Sequence, residues 1–303
     1  MVSQGLSHQA LIYRSQTQLT NATAAFVRLG LELGDPVLVA ARPTTVASLR
    51  AALGADAELV QLHDSRTWFA HPFQRLQELR RLAAEVPAER ALRVIDEWAW
   101  EDSGAGAREW ARFESVVNVA LADQPLRFVC LFDGRSLPAE VLQMAAHTHP
   151  QLIEDGAAVD TAGFAAPGEH APGPPPASPA SALTLPLPWA ELRVAVREHA
   201  ERLGVASARV DDVVLAVQEV ATNAEVHGEP PVRAEIWEEA GELVCQVSDG
   251  GDGILDPHTG WVPPDDPAGG GWGLPIARLT CDAVEIGRAS GRTVVTMFVT
   301  LGS

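Results

Sequence analysis

DDVVLAVQEVATNAEVHG, residues 211–228, is the stretch on which the reading of this chain turns. Its apolar residues return every three or four positions, which is the period of an amphipathic helix. On such a helix Glu219, Asn223 and His227 stand four apart and share one face. A carboxylate, an amide and an imidazole then point into one cleft. The carboxylate can take a proton or orient a nucleophile, and the amide oxygen is a hard neutral ligand suited to Mg²⁺. These are the groups of a nucleotide–Mg²⁺ site.

Two glycine-bearing segments downstream extend the pattern. VSDGGDG at 247–253 sets Asp249 after an apolar strand, Leu243 to Val247, with Gly251 and Gly253 following it. A buried carboxylate there accepts from an exocyclic amine, and the glycines let a flat base approach the main chain. GGGWGL at 269–274 leads into the apolar, helix-like PIARLT. Backbone N–H groups at a helix start receive phosphate oxygens.

In order and spacing these segments resemble the N, G1 and G2 boxes of the GHKL ATPase superfamily, shared by gyrases, heat-shock chaperones, mismatch-repair ATPases and histidine kinases. Within it they are most similar to the small anti-sigma-factor serine kinases. LTLPLPWAELRVAVREHAERLGV at 183–205 looks like the strand and first helix with which those kinases begin. The resemblance implies ATP and Mg²⁺ as cofactors, Glu219 acting on the attacking hydroxyl, and Asn223 as the Mg²⁺ ligand. It also places His227, Asp249, Gly251, Gly253, Gly269, Gly271, Gly273, Leu274 and Thr293 around the nucleotide. Residues ~254 to 270 would be the mobile lid over the triphosphate. That segment holds no Arg or Lys, offers only His258 as a cation, and carries Asp256, Asp265 and Asp266. Charge developing on phosphate would then be met by Mg²⁺ and backbone donors.

Composition bounds what else the chain can be. Its 303 residues suffice for two ordinary domains, and 47% hydrophobic with 20% charged residues is a globular balance. A net charge of −18 argues against direct binding to nucleic acid, which needs a basic footprint. All 22 basic residues are Arg. Without Lys there is neither a P-loop nor a eukaryotic-type kinase strand Lys. Cys130, Cys245 and Cys281 are widely spaced in apolar surroundings and read as buried small hydrophobes. The N-terminus lacks a charged-then-apolar signal, and no run approaches the ~18 apolar residues of a membrane span. A cytoplasmic protein is expected.

The stretch 156–182 is rich in Pro, Ala and Gly with almost no periodicity, so it reads as a semi-extended linker between residues 1–155 and 183–303. The first part alternates apolar, strand-like runs (36–41, 57–62, 92–97 and 126–133) with helix-like segments (17–33, 44–54, 68–86, 106–122 and 137–146). That pattern predicts an α/β, doubly wound, mainly parallel sheet. HQALIY (8–13), FVRLGLELGDPVLVA (26–40), CLFDGRSLP (130–138) and HTHP (147–150) resemble the MEDS sensory domain, a degenerate relative of the RecA-like fold. Asp96 and Glu97 look like a Walker B pair without a P-loop and are expected to be solvated. His8, His63, His147 and His149 with Cys130 supply metal-ligand types. No pair of them has a recognised ligand spacing, so structural or surface histidines are expected. Trp98 and Trp100 read as packing.

The second part reads strand, helix, helix, strand, strand, lid, helix, strand, strand, with a hairpin turning at Ala240-Gly241. A two-layer α+β domain of the GHKL (Bergerat) type is expected, with a mixed sheet. Taken together the resemblances are to anti-sigma-factor regulatory proteins of the RsbA type. They imply a sigma factor and an anti-anti-sigma (STAS-type) protein as partners, no nucleic acid and no membrane, and they leave a homodimer open. The implied activity is ATP-dependent phosphorylation of a Ser or Thr on the anti-anti-sigma protein. The alternatives are a non-catalytic ATP-binding regulatory module and a histidine kinase-like protein. The latter needs a phosphoacceptor His before the ATP domain, whereas His199 falls inside that domain's first helix.

Overall fold

The computed structural model describes residues 5–69, 71–97, 105–165, 176–179, 182–185, 189–251, 256, 258–266 and 270–302. The chain divides into two compact units, Met1–Ser103 with Trp110–Glu169, and Gly104–Glu109 with His170–Ser303.

The first unit follows the order β1 (Ser7–Tyr13), α1 (Gln16–Leu33), β2 (Val37–Ala41), α2 (Pro43–Leu53), β3 (Gln61–Asp64), α3 (Pro72–Ala84), β4 (Leu92–Asp96), α4 (Ala105–Ala120, in this unit from Trp110 on), β5 (Leu126–Asp133), α5 (Ala139–Thr148), β6 (Gln151–Glu154) and β7 (Ala157–Asp160). The sheet runs β3-β2-β4-β5-β1-β6-β7, and every pairing is parallel except β6 with β7. β2 and β4 are buried at every position, as expected of strands covered on both faces. α1 is delimited by its caps. Ser15 Oγ accepts the Gln18 N–H at 3.1 Å, and Gly34 at φ 72° donates its N–H back to Gly30 and Leu31.

Three expectations are corrected here. The 57–62 run is not one strand: a 3-10 turn occupies Gly54–Leu59, leaves Leu59 exposed, and β3 starts only at Gln61. The stretch read as structureless from 156 opens with β7, turned back on β6 by Asp155 and Gly156, both at positive φ. Asp96 and Glu97 are 1% and 2% exposed rather than solvated. Arg75 of α3 donates to Asp96 at 2.7 Å, while Glu97 accepts from the Tyr13 hydroxyl at 3.0 Å and the Arg42 N–H at 3.1 Å. Trp98 and Trp100 lie outside the described residues.

The second unit contains β8 (Leu183–Thr184), α6 (Trp189–Leu203), α7 (Ser207–His227), β9 (Arg233–Glu239), β10 (Glu242–Asp249), α8 (Gly273–Thr280), β11 (Ala283–Ala289) and β12 (Arg292–Thr300). Its sheet order is β11-β12-β10-β9-β8. All four pairings are antiparallel, which corrects the expected mixed sheet. One core joins the helices to one sheet face, with Val196, Val213, Val217 and Ala277 packed against Ile236, Leu243, Val247 and Met297. This is the expected two-layer α+β arrangement, with α7 across the sheet. No helix among the described residues is long and apolar enough to cross a membrane.

Candidate functional site

α7 owes its position to Val210, Val213, Val214, Val217, Val220, Ala221 and Ala224, which are buried at helical spacing. That leaves Glu219, Asn223 and His227 along one edge, half-buried at the first two positions and exposed at the third. A cavity of about 630 Å³ lies against this edge, in the size range of a small-molecule site. Its wall includes Asn223, His227, Asp249, Gly251, Gly271, Leu274 and Thr293. The helix edge and both glycine segments therefore converge on one space. Glu219 stands one turn before Asn223 and is not part of that wall among the described residues. Gly253 and Gly269 lie outside the described residues.

Asp249 ends β10 and is 7% exposed. Its Oδ1 accepts the Gly251 N–H at 2.8 Å and the Glu229 N–H at 3.3 Å, so the carboxylate is fixed by backbone donors. Across the ladder it pairs with Thr293 of β12, whose hydroxyl donates to the Gly251 carbonyl at 3.1 Å. Two glycines permit the close approaches. A Cβ at Gly228 would lie 2.5 Å from both the Ala224 carbonyl oxygen and the Asp249 carboxyl carbon. At Gly273, which opens α8, a Cβ would be driven into the Asn223 amide. Val220, Ala224, Val247 and Val295 supply apolar wall beside these polar groups. A flat heterocycle with an edge donor fits between such walls, with Asp249 as its acceptor.

Several contributors carry no motif. Thr259, Gly260, Val262 and Pro264 close the cavity from the segment read as a lid. Trp261 between them is fully buried, with the Arg278 guanidinium 5.0 Å from its ring centroid. Arg278 also donates to the Thr259 carbonyl at 3.1 Å, so this part of the expected mobile lid is tied to α8. A lone Trp inside a Pro- and Gly-rich polar run was the one available signal of that anchoring. Burial lowers the His258 pKa from its usual value, with Asp256 only partly opposing at 3.3 Å. Among the described residues the wall contains no Arg, and His227 is its one side chain of a type that can carry positive charge.

Asn223 is the residue on this edge able to ligate Mg²⁺ through a neutral oxygen. Asn223→Ala is expected to cut the Mg²⁺-dependent gain in nucleotide affinity by about tenfold or more, the scale of one contact to a charged group at ~1.5–3 kcal/mol. Calorimetry of parent and variant with and without Mg²⁺ checks this, and an unchanged Mg²⁺ dependence would remove Asn223 from the ligand set.

The first unit is a doubly wound sheet, and the second is a two-layer α+β unit in which a helix edge and two glycine segments border one cavity. Comparison with protein families agrees with both. Residues 7–150 match the family described as MEDS, the MEthanogen/methylotroph, DcmR Sensory domain. Residues 186–299 match the Histidine kinase-like ATPase domain. The chain carries a MEDS domain followed by a histidine kinase-like ATPase domain. Among solved structures it is similar to the RsbU and RsbW domains of Rv1364c from Mycobacterium tuberculosis, at 21% identity and a TM-score of 0.30. That match covers 41% of this chain and 33% of the other. Comparison with the curated proteins finds no match.

Proposed function

We propose that this chain is a bacterial, cytoplasmic regulator of the anti-sigma-factor type. In this reading it holds ATP–Mg²⁺ in the cavity beside α7 and controls a sigma factor by partner switching with an anti-anti-sigma (STAS-type) protein. The observation that carries the reading is the convergence of residues from all three sequence boxes on one wall: Asn223, Asp249, Gly251, Gly271 and Leu274, with Thr293 of β12 beside them. The partners rest on the resemblance of residues 183–303 to anti-sigma-factor serine kinases, and the histidine kinase-like ATPase match over 186–299 supports the nucleotide.

In this reading Asp249 accepts from the adenine amine while the Gly251 and Glu229 N–H groups steady its carboxylate, and the valines of the wall exclude water from the base. Asn223 holds the metal, and backbone N–H groups around Gly271 face the phosphates. Glu219 orients or deprotonates the hydroxyl of the protein substrate. Bound ATP supplies the transferable phosphoryl group, and the chain's own contribution is positioning.

Asp249→Asn is expected to weaken ATP binding by about 10- to 100-fold. The carbonyl oxygen of Asn would be taken by the Gly251 and Glu229 N–H donors, turning an amide NH₂ toward the adenine amine. Two donors then face each other at a cost of ~1–3 kcal/mol. Calorimetry on the full chain measures it, with GTP as control, because guanine presents a carbonyl where adenine presents its amine. A variant that binds ATP like the parent would end the adenine assignment.

One feature favours a second reading, an ATP-binding module without transfer. The described lid residues carry no Arg, and Arg278 beside them is 1% exposed and committed to the Thr259 carbonyl. Transfer from labelled ATP to a STAS-type partner separates the two: binding with transfer supports the kinase, and binding without it the module.

A further inference from the structure

We propose that the MEDS domain holds a divalent metal ion of borderline softness, Zn²⁺ first, bound by His8, Glu114, Cys130 and His149. These residues come from β1, α4, β5 and the turn after α5 and share none of the nucleotide cavity. One ligating atom from each lies within 4.8 Å of all the others, and all four residues are at most 2% exposed. His8 Nε2 is 3.3 Å and His149 Nε2 is 3.4 Å from Glu114 Oε2. Cys130 Sγ is 3.4 Å from the same oxygen and 3.5 Å from His8 Nε2. A tetrahedron with bonds of about 2.0–2.3 Å has edges of about 3.3–3.8 Å. Four of the six edges have the lengths of a Zn²⁺ tetrahedron, and the two between His149 and the His8 and Cys130 ligand atoms are within 4.8 Å.

The tautomers are fixed from outside. Asn118 Nδ2 donates to the Thr148 carbonyl at 2.7 Å and the Glu114 carbonyl at 3.2 Å, which leaves its Oδ1 as an acceptor 3.0 Å from His8 Nδ1. His8 Nδ1 therefore carries a proton, and its Nε2 presents a lone pair inward. His149 Nδ1 lies 2.8 Å from the Ala145 carbonyl, an acceptor only, so its Nε2 presents a lone pair inward as well. Metal-ligating histidines are oriented in this way, by an outer partner on the second ring nitrogen. With neutral rings, two lone pairs face a carboxylate oxygen that the Cys130 thiol alone supplies with a donor. His149 Nε2 and Glu114 Oε1 are both buried without a hydrogen-bond partner. Such an arrangement of acceptors wants a cation at its centre.

Two imidazoles, a thiolate and a carboxylate form a mixed N, S and O set, which suits Zn²⁺. Four protein ligands complete the tetrahedron and leave no open position, so the ion is structural or sensed rather than catalytic. On binding, the metal takes the place of the Cys130 thiol proton, which leaves to solvent. The site ties two strands and two helices of the domain together, so metal loading sets their stability. His63 and His147 are not part of it: His63 stacks on Trp68, with centroids 5.6 Å apart.

The test uses the full chain, purified under reducing conditions, stripped with a chelator and titrated with Co²⁺ and then Zn²⁺ without nucleotide. The expected result is one ion per chain, with the intense visible bands of tetrahedral Co²⁺ and a thiolate-to-cobalt charge-transfer band that Zn²⁺ abolishes. Cys130→Ser should lose the charge-transfer band and weaken binding by about tenfold or more, and His63→Ala should retain both. If Cys130→Ser does not fold, the stoichiometry and charge-transfer band of the parent decide alone. Less than one ion per chain, Co²⁺ spectra without a thiolate band, or a Cys130→Ser protein that keeps the band would overturn the site. The cluster would then be a hydrogen-bonded core.

Discussion

Glu219→Gln is expected to lower phosphoryl transfer to a STAS-type substrate by ~10² or more, in line with general-base contributions, while ATP affinity stays near the parent's. The variant keeps the shape of the side chain and removes its basic oxygen. Glu219 shares the face of Asn223 on α7 one turn earlier, half-buried, but is not part of the cavity wall among the described residues. In the proposed reading it acts on the incoming hydroxyl and not on the nucleotide. Single-turnover transfer assays and calorimetry on the same preparation separate the two effects. A loss of ATP affinity matching the loss of transfer would make Glu219 a nucleotide contact. A parent that binds ATP but transfers nothing to a cognate partner would point to the non-catalytic module.

Arg75→Met should destabilise the MEDS domain by ~3–5 kcal/mol, the cost of breaking a buried ion pair from one side. Arg75 is fully buried and donates to Asp96 at 2.7 Å, to the Ser65 and Trp68 carbonyls at 2.8 Å, and to the Phe69 carbonyl at 3.2 Å. Its guanidinium also lies 4.7 Å from the Trp110 ring centroid. Methionine fills similar length but donates to none of these acceptors. Burial pushes the Asp96 carboxyl up to about 6, with Arg75 opposing that rise. The folded pKa lies above the unfolded one and rises further without Arg75. The contribution of protonated Asp96 is therefore complete below the unfolded pKa and is lost as pH climbs through the folded value. The deficit of the variant should be smallest in acid and largest above about pH 6. Urea denaturation followed across pH measures it, and a deficit independent of pH would mean that packing, not the stranded carboxylate, sets the cost.

Much of the cavity wall could be read from order and spacing. Helical periodicity puts Asn223 and His227 on one edge of α7, and the D-x-G element ends β10 where an apolar strand was expected to stop. Local rules reach that far because every relation involved lies within one element or at its immediate end. The lid was legible as a segment but not in its anchoring. Trp261 and Arg278 meet only because α8 packs beneath the turn. The strand misplaced at 57–62 and the β7 hairpin inside the supposed linker are edge features. There, short strands and turn residues outweigh hydrophobic pattern.

The sequence by itself determined the alternation of strands and helices in the first unit and the order of elements in the second, since periodicity and backbone freedom are local properties, but not that the second sheet is antiparallel throughout. Tertiary structure decided what lies far apart in the chain. It paired Arg75 with Asp96 across 21 residues and turned two strand-end carboxylates from solvated groups into buried ones. It brought His8 to Cys130 across 122 residues, with Glu114 and His149 beside them. No spacing rule encodes that meeting, because β1 and β5 become neighbours only when the parallel sheet closes, with His8 in register with Phe128, two residues before Cys130.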